Sequence, residues 1–161
     1  EVRRLRSSDP CGQWNASLLQ FVGFGDDDDD VIAGAGGDDQ LEGGKGKDQI
    51  RGEDGVDTIL GGDDDDDLDG GRGADTISGE AGNDHVAGGP DSGDGINVLS
   101  GGDGNDAIEG GSEGDTIDGN AGDDIINGNG GPDIIHGGAG ADIILAGAGN
   151  DSIWGDEGSD K

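Results

Sequence analysis

GGRGADTISGEAGNDHV, residues 70–86, holds almost two full copies of a single nine-residue unit. Each copy opens on glycine, repeats glycine at its fourth place, sets an acid at its sixth and an aliphatic residue at its eighth. Asp75 and Ile77 fill the last two places in the first copy, Asp84 and Val86 in the second. Followed outward, the frame begins at Gly25 and runs unbroken to Ala87, seven units with Ile32, Leu41, Ile50, Ile59, Leu68, Ile77 and Val86 at the eighth place. Four residues, Gly88-Gly89-Pro90-Asp91, then fall out of phase. A second block of seven units runs from Ser92 to Trp154, with Leu99, Ile108, Ile117, Ile126, Ile135, Ile144 and Ile153. Residues 155–161 begin another unit. Fourteen aliphatic residues in one phase establish a repeat, and repeats of this kind build solenoids. The chain therefore divides into a non-repeat segment, 1–24, a first block, 25–87, an insertion, 88–91, and a second block, 92–161.

The composition would not support an ordinary core. Of 161 residues, 40 are glycine, aromatics make up 2%, and the net charge is −31. So little apolar surface and so much like charge predict disorder for the bare chain, because burial cannot offset chain entropy. Compaction requires cations among the carboxylates. The few positive charges are uneven: Arg3, Arg4 and Arg6 face only Glu1 and Asp9 in the opening segment. Such an acidic surface excludes nucleic acid as a partner, since it would set carboxylate against phosphate. No stretch is long and apolar enough for a membrane-spanning helix, and the chain does not open on a signal-peptide pattern. Cys11 is the sole cysteine, which rules out an internal disulfide framework and leaves a free thiol or a cross-link between chains.

Each unit reads as a six-residue turn followed by a three-residue strand. Glycines at the first, second and fourth places permit positive φ and turn backbone carbonyls inward, and the sixth-place acid adds a carboxylate. A donor set of oxygen alone selects a hard cation, and a flexible cage of this kind suits calcium better than magnesium. In the strand only the central aliphatic side chain points inward, by two-residue alternation. Two units then close one coil of 18 residues, units two apart in sequence stack, and their turns form two columns. Cations between stacked turns would number roughly 10–13.

Units such as GGKGKDQIR (43–51), GGRGADTIS (70–78), GGDGNDAIE (101–109) and GGAGADIIL (137–145) closely resemble the RTX (repeats-in-toxin) calcium-binding nonapeptide. The resemblance covers residues 25–161. It implies an all-β, right-handed parallel β-roll or β-helix solenoid, with two short-stranded parallel sheets and multiple Ca2+ ions. Carried over place by place, it implies ligands at Asp30, Asp39, Asp48, Asp57, Asp66, Asp75 and Asp84 in the first block. In the second block it implies Asn97, Asp106, Asp115, Asp124, Asp133, Asp142, Asp151 and Asp160. Several units depart from the pattern. Aspartates replace the fourth-place glycine in GDDDDDVIA (25–33) and GGDDDDDLD (61–69), Glu113 does so in 110–118, and Asn97 replaces the sixth-place acid. Weaker or differently shaped sites are expected there. The insertion at 88–91 is expected to bulge from one continuous roll.

The remaining signals carry less. Residues 1–24 hold Trp14, Leu18, Leu19, Phe21, Val22 and Phe24 and read as a cap or docking segment, with Ala16–Val22 open between helix and strand. Glycine spacings that mimic nucleotide loops follow from the repeat, and GGKGKD lacks the hydroxyl residue a P-loop needs. The paired acids follow the ligand period and lie on a roll too narrow for a deep pocket, so no catalytic residues and no enzyme activity are expected. His85 and His136 fall at outward places and read as solvated. Asn15-Ala16-Ser17 matches a glycosylation sequon. Outward Ile125, Ile143 and Leu145 on one sheet, and Ile134 and Trp154 on the other, suggest a contact face towards the C-terminal end.

Millimolar calcium outside the cell and scarce calcium inside would leave such a chain unfolded before export and ordered after it. The resemblance implies a secreted, extracellular protein, commonly at the bacterial cell surface. Two readings of its work follow. One is a structural protein whose rolls self-associate end to end into a filament, lattice or matrix, through the N-terminal segment and the open C-terminal coil. The other is the calcium-binding and secretion tail of a larger secreted enzyme, toxin or adhesin.

Overall fold

The computed structural model describes residues 3–6, 21–89 and 95–161. Cys11, Trp14, Leu18, Leu19 and the Asn15 sequon lie outside the described residues, as do residues 7–20 and 90–94 generally. The described residues form strands and turns and no helix. In chain order the strands are β1 (Arg3–Arg6), β2 (Phe21–Phe24), β3 (Val31–Gly36), β4 (Gln40–Lys45), β5 (Gln49–Asp54), β6 (Thr58–Asp63), β7 (Asp67–Arg72) and β8 (Thr76–Ala81). They continue with β9 (His85–Ala87), β10 (Val98–Asp103), β11 (Ala107–Gly111), β12 (Thr116–Ala121), β13 (Ile125–Asn129), β14 (Ile134–Gly140), β15 (Ile143–Leu145) and β16 (Ser152–Gly158).

Odd and even strands from β3 onward part into two parallel sheets, one of seven strands and one of nine. The chain thus winds as a β-solenoid of about seven turns with about 18 residues per coil. Leu41 pairs with Ile59 and Ile50 with Leu68, so each eighth-place aliphatic stacks on its counterpart one coil away. The eleven such residues from Leu41 to Ile135 are at most 2% exposed and form the whole core cluster. That core is one side chain deep from each sheet. Two aliphatic residues per coil are few against the entropy of ordering 18 residues, so the turns must contribute to stability.

Three features differ from the sequence expectation. Most strands from β3 onward are five to seven residues long because pairing continues into the first places of the turn, as in Gly44↔Gly62 and Lys45↔Asp63. Identical turns stacked in register keep their backbones within bonding reach. Positive φ recurs at the second and fourth places, as at Gly71 (93°) and Gly73 (137°), and the first place does not share it. Asp64 adopts the fourth-place conformation at 83° despite its side chain, whereas Asp28 and Glu113 do not, so the turns at 25–33 and 110–118 follow another path.

The third feature is the insertion. Strand offsets are 18 residues except across it, where Leu99 pairs with Ile77 and Ile108 with Val86, an offset of 22. Both sheets continue through this longer coil. A Cβ placed on Gly88 would meet Asn97 and the Gly110 carbonyl, the same environment that Gly79 has beside Asp84 and the Gly101 carbonyl. Gly88 therefore opens its turn, and the four extra residues fall between Gly89 and Gly95. Without residues 90–93 the chain would read GGDGINVLS, a regular unit.

The eighteen-residue spacing also reaches beyond the repeat. Arg4 pairs with Val22 and Val22 with Gln40, so β1 and β2 extend the nine-stranded sheet. Gly23 occupies the aliphatic place in β2, which hides this layer from pattern reading.

Candidate metal centre

The sixth-place side chains lie at the end of each turn, where the chain enters the next strand. Asp39, Asp48, Asp57, Asp66, Asp75, Asp84, Asp106, Asp115, Asp124, Asp133 and Asp142, with Asn97, are all at most 4% exposed. Asp30, Asp151 and Asp160, at the ends of the two columns, are half-buried. The members are linked along each column by one recurring bond. The backbone N–H of Asp48 donates to Oδ1 of Asp66 at 2.8 Å, that of Asp66 to Asp84 at 2.8 Å, and that of Asp124 to Asp142 at 2.9 Å. The second column repeats it from Asp39 to Asp57 and from Asp57 to Asp75, both at 2.8 Å.

That bond uses one carboxylate oxygen. The other, Oδ2, is buried without a hydrogen-bond partner in Asp48, Asp57, Asp66, Asp84, Asp106, Asp124, Asp133 and Asp142. Buried acceptors left in this state cost more than a hydrogen bond contributes, and ionised ones cost far more. Burial accordingly pushes Asp57, Asp66 and Asp124 up to about 7 and Asp48 and Asp84 to about 6, from an ordinary 3.8. Neighbouring carboxylates in the column add to the rise, and the N–H bond to each partially opposes it.

The first-place glycines complete the geometry. A Cβ on Gly137 would fall 2.5 Å from Oδ2 of Asp142 and 2.8 Å from the carbonyl oxygen of Gly155, one coil on. On Gly128 it would fall 2.5 Å from Oδ2 of Asp133 and 2.5 Å from the carbonyl of Ala146. A carboxylate oxygen and a carbonyl oxygen from successive layers thus converge where a side chain is missing. Ala146 takes the first place in its own turn, in the last layers of the roll. Among the described residues no three carboxylate, imidazole or thiol side chains converge on one point. A cation held here must draw on backbone carbonyls as much as on side chains. Orphaned oxygens of this kind, with no nitrogen or sulfur among them, fit a hard cation such as calcium.

Asn97 is the exception. It shares the backbone arrangement of the row, but it presents nitrogen where the others present Oδ2. Pattern reading also passed over a second ladder at the fifth place. Oδ1 of Asp65 accepts the N–H of Asn83 at 2.9 Å, Asn83 that of Asn105 at 3.0 Å, Asn105 that of Asp123 at 2.7 Å, and Asp123 that of Ala141 at 2.8 Å. Aspartate or asparagine at alternate fifth places was the available signal. The two ladders donate in opposite senses along the roll.

On the outer surface of the turns, Lys45 meets Asp63 at 2.9 Å and Lys47 meets Asp65 at 2.5 Å, each one coil on. Lys47 and Asn83 hold the Asp65 carboxyl well below the usual range. These pairs are exposed and contribute little alone. His85 binds Asp67 at 2.9 Å, and His136 binds Asp156 at 2.8 Å while stacking on Trp154 at 4.6 Å.

Against this geometry, the family profile of the RTX calcium-binding nonapeptide repeat, four copies long, matches residues 24–59, 60–93, 91–126, 100–135 and 127–161. The chain belongs to the RTX calcium-binding nonapeptide-repeat family. RTX nonapeptide repeats bind Ca2+ at multiple sites, and the β-roll they form is a structural calcium-binding module typical of secreted bacterial proteins. A comparison with curated proteins finds no match. No helix among the described residues is long and apolar enough to cross a membrane.

Proposed function

We propose that this RTX chain works as a calcium-dependent folding module of a secreted protein, disordered where calcium is scarce and compact where it is plentiful. The observation that carries the reading is the double column of buried carboxylates, of which Asp48, Asp57, Asp66, Asp84, Asp106, Asp124, Asp133 and Asp142 hold a buried Oδ2 with no hydrogen-bond donor. The sixth-place aspartates, Asp30 to Asp160, would hold the ions together with first-place carbonyls. Calcium would supply the positive charge that a chain of net charge −31 lacks. Circular dichroism and size-exclusion chromatography during calcium titration test it, with magnesium as the control. The expected result is a cooperative change from coil to β-structure with a fall in hydrodynamic radius. A coil spectrum at saturating calcium, or a compact roll in chelator at neutral pH, would overturn it.

End-to-end self-association is the second reading, and the ends of the nine-stranded sheet favour it. β16 at one end leaves Ile153 and Trp154 each 47% exposed. Continued at one-coil spacing, the β1 strand of a second copy would set Arg4, Leu5 and Arg6 opposite Ser152, Ile153 and Trp154. That register would bring a segment whose sequence holds three arginines, Arg3, Arg4 and Arg6, to an end that carries Asp151, Asp156 and Asp160. Sedimentation in calcium with Leu5→Asp as the comparison tests this: the unaltered chain should form long assemblies and the variant should not. A native protein of much greater mass, whose further chain covers β16, would favour the tail of a larger protein.

A further inference from the structure

Eleven of the twelve buried sixth-place residues are aspartate, and the twelfth is Asn97. We propose that the layer of Asn97 takes no cation, so that its column of calcium sites is divided into two separate runs. One run holds Asp39, Asp57 and Asp75, the other Asp115, Asp133 and Asp151. The opposite column, Asp48 to Asp142, is unbroken. This rests on the calcium reading of the row.

The orientation of the amide decides the matter. Oδ1 of Asn97 accepts the backbone N–H of Asp75 at 2.9 Å, the bond that the members of the row from Asp48 onward accept. Turning the amide over would set its NH2 against that N–H, so the assignment of oxygen and nitrogen follows from the network. Nδ2 consequently takes the Oδ2 place, buried and without an acceptor. It lies 2.6 Å from the point a Cβ on Gly88 would fill, beside the carbonyl oxygen of Gly110. In every other buried layer that point is flanked by two oxygens; here one of them is replaced by amide hydrogens of positive polarity. A cation would meet a donor, and the negative charge that would hold it is missing. The residue just before Asn97 is the exposed Ile96, which brings no carboxylate to its side.

The test counts bound calcium by equilibrium dialysis and isothermal titration on the full chain and three variants. Asn97→Asp should gain at least one ion and fold at a lower calcium concentration. Asn97→Ala should keep the wild-type count even if its stability falls. Asp133→Asn, in the same column, should lose at least one ion. The proposal is overturned if Asn97→Asp binds no more ions than wild type, or if Asn97→Ala binds fewer, while Asp133→Asn loses one. If Asp133→Asn also keeps the wild-type count, the calcium reading of the whole row fails and the proposal falls with it.

Discussion

At the scale of the residue, the sixth-place aspartates determine how the roll responds to acid. Asp57, Asp66 and Asp124 sit near 7 in the folded chain against an ordinary 3.8, because burial penalises their charged form. A folded-state value raised in this way favours the folded state when the group is protonated. The contribution is fully present below about 4 and is lost as pH rises through 6 to 7. The metal-free chain should therefore gain β-structure in circular dichroism on acidification from pH 8 to pH 4. Calcium affinity should change in the opposite sense, weakening as protons compete for the same oxygens. Glycine and its substitutes give a second residue-level prediction. Gly137→Ala places a methyl group between Asp142 and the Gly155 carbonyl and should cost about 1–3 kcal/mol in denaturant unfolding with calcium present. Glu80→Gly relieves a side chain held at φ 74° and should raise stability by up to about 1 kcal/mol.

At the scale of the element, the strand is held by one inward side chain, and its value depends on having a coil on both sides. Ile108 is 1% exposed between Val86 and Ile126, so Ile108→Ala should cost about 2–5 kcal/mol by chemical denaturation. Ile153 has the same place in its unit but is 47% exposed in the last strand, and Ile153→Ala should cost less than about 1 kcal/mol. The phase of the repeat was enough to place aliphatic residues such as Ile108 in the core, and it singles out the sixth-place acids that the structure buries. It could not show that strands run on into the turn, because that depends on how stacked backbones pair. Nor could it show β2, where Gly23 takes the aliphatic place and only the register reveals a further layer. The insertion was ambiguous for a simple reason: removing either 88–91 or 90–93 leaves the frame in phase, and only the contacts of Gly88 decide. The polarity of Asn97 likewise needed its partner, Asp75, to fix it.

At the scale of the whole molecule, the longer coil interrupts a strand offset that is otherwise 18 residues among the described residues. Deleting residues 90–93 should restore an offset of 18 and leave a roll that folds at the same or a lower calcium concentration, read by circular dichroism. A variant that lost the transition would show that these residues do more than lengthen a turn.

The bond from each sixth-place N–H to the carboxylate one coil on has a consequence for how order is lost. Every layer grips only its immediate neighbours, so the molecule behaves as a line of coupled links, with no single centre to melt. The links towards Asp160 are the longer ones: the N–H of Asp142 reaches Asp160 at 3.2 Å and that of Asp133 reaches Asp151 at 3.1 Å, against 2.7–2.9 Å in the middle of the row. Withdrawal of calcium should thus loosen the links at Asp151 and Asp160 before those in the middle of the row, and hydrogen exchange would record protection that falls from Asp106 towards Asp142.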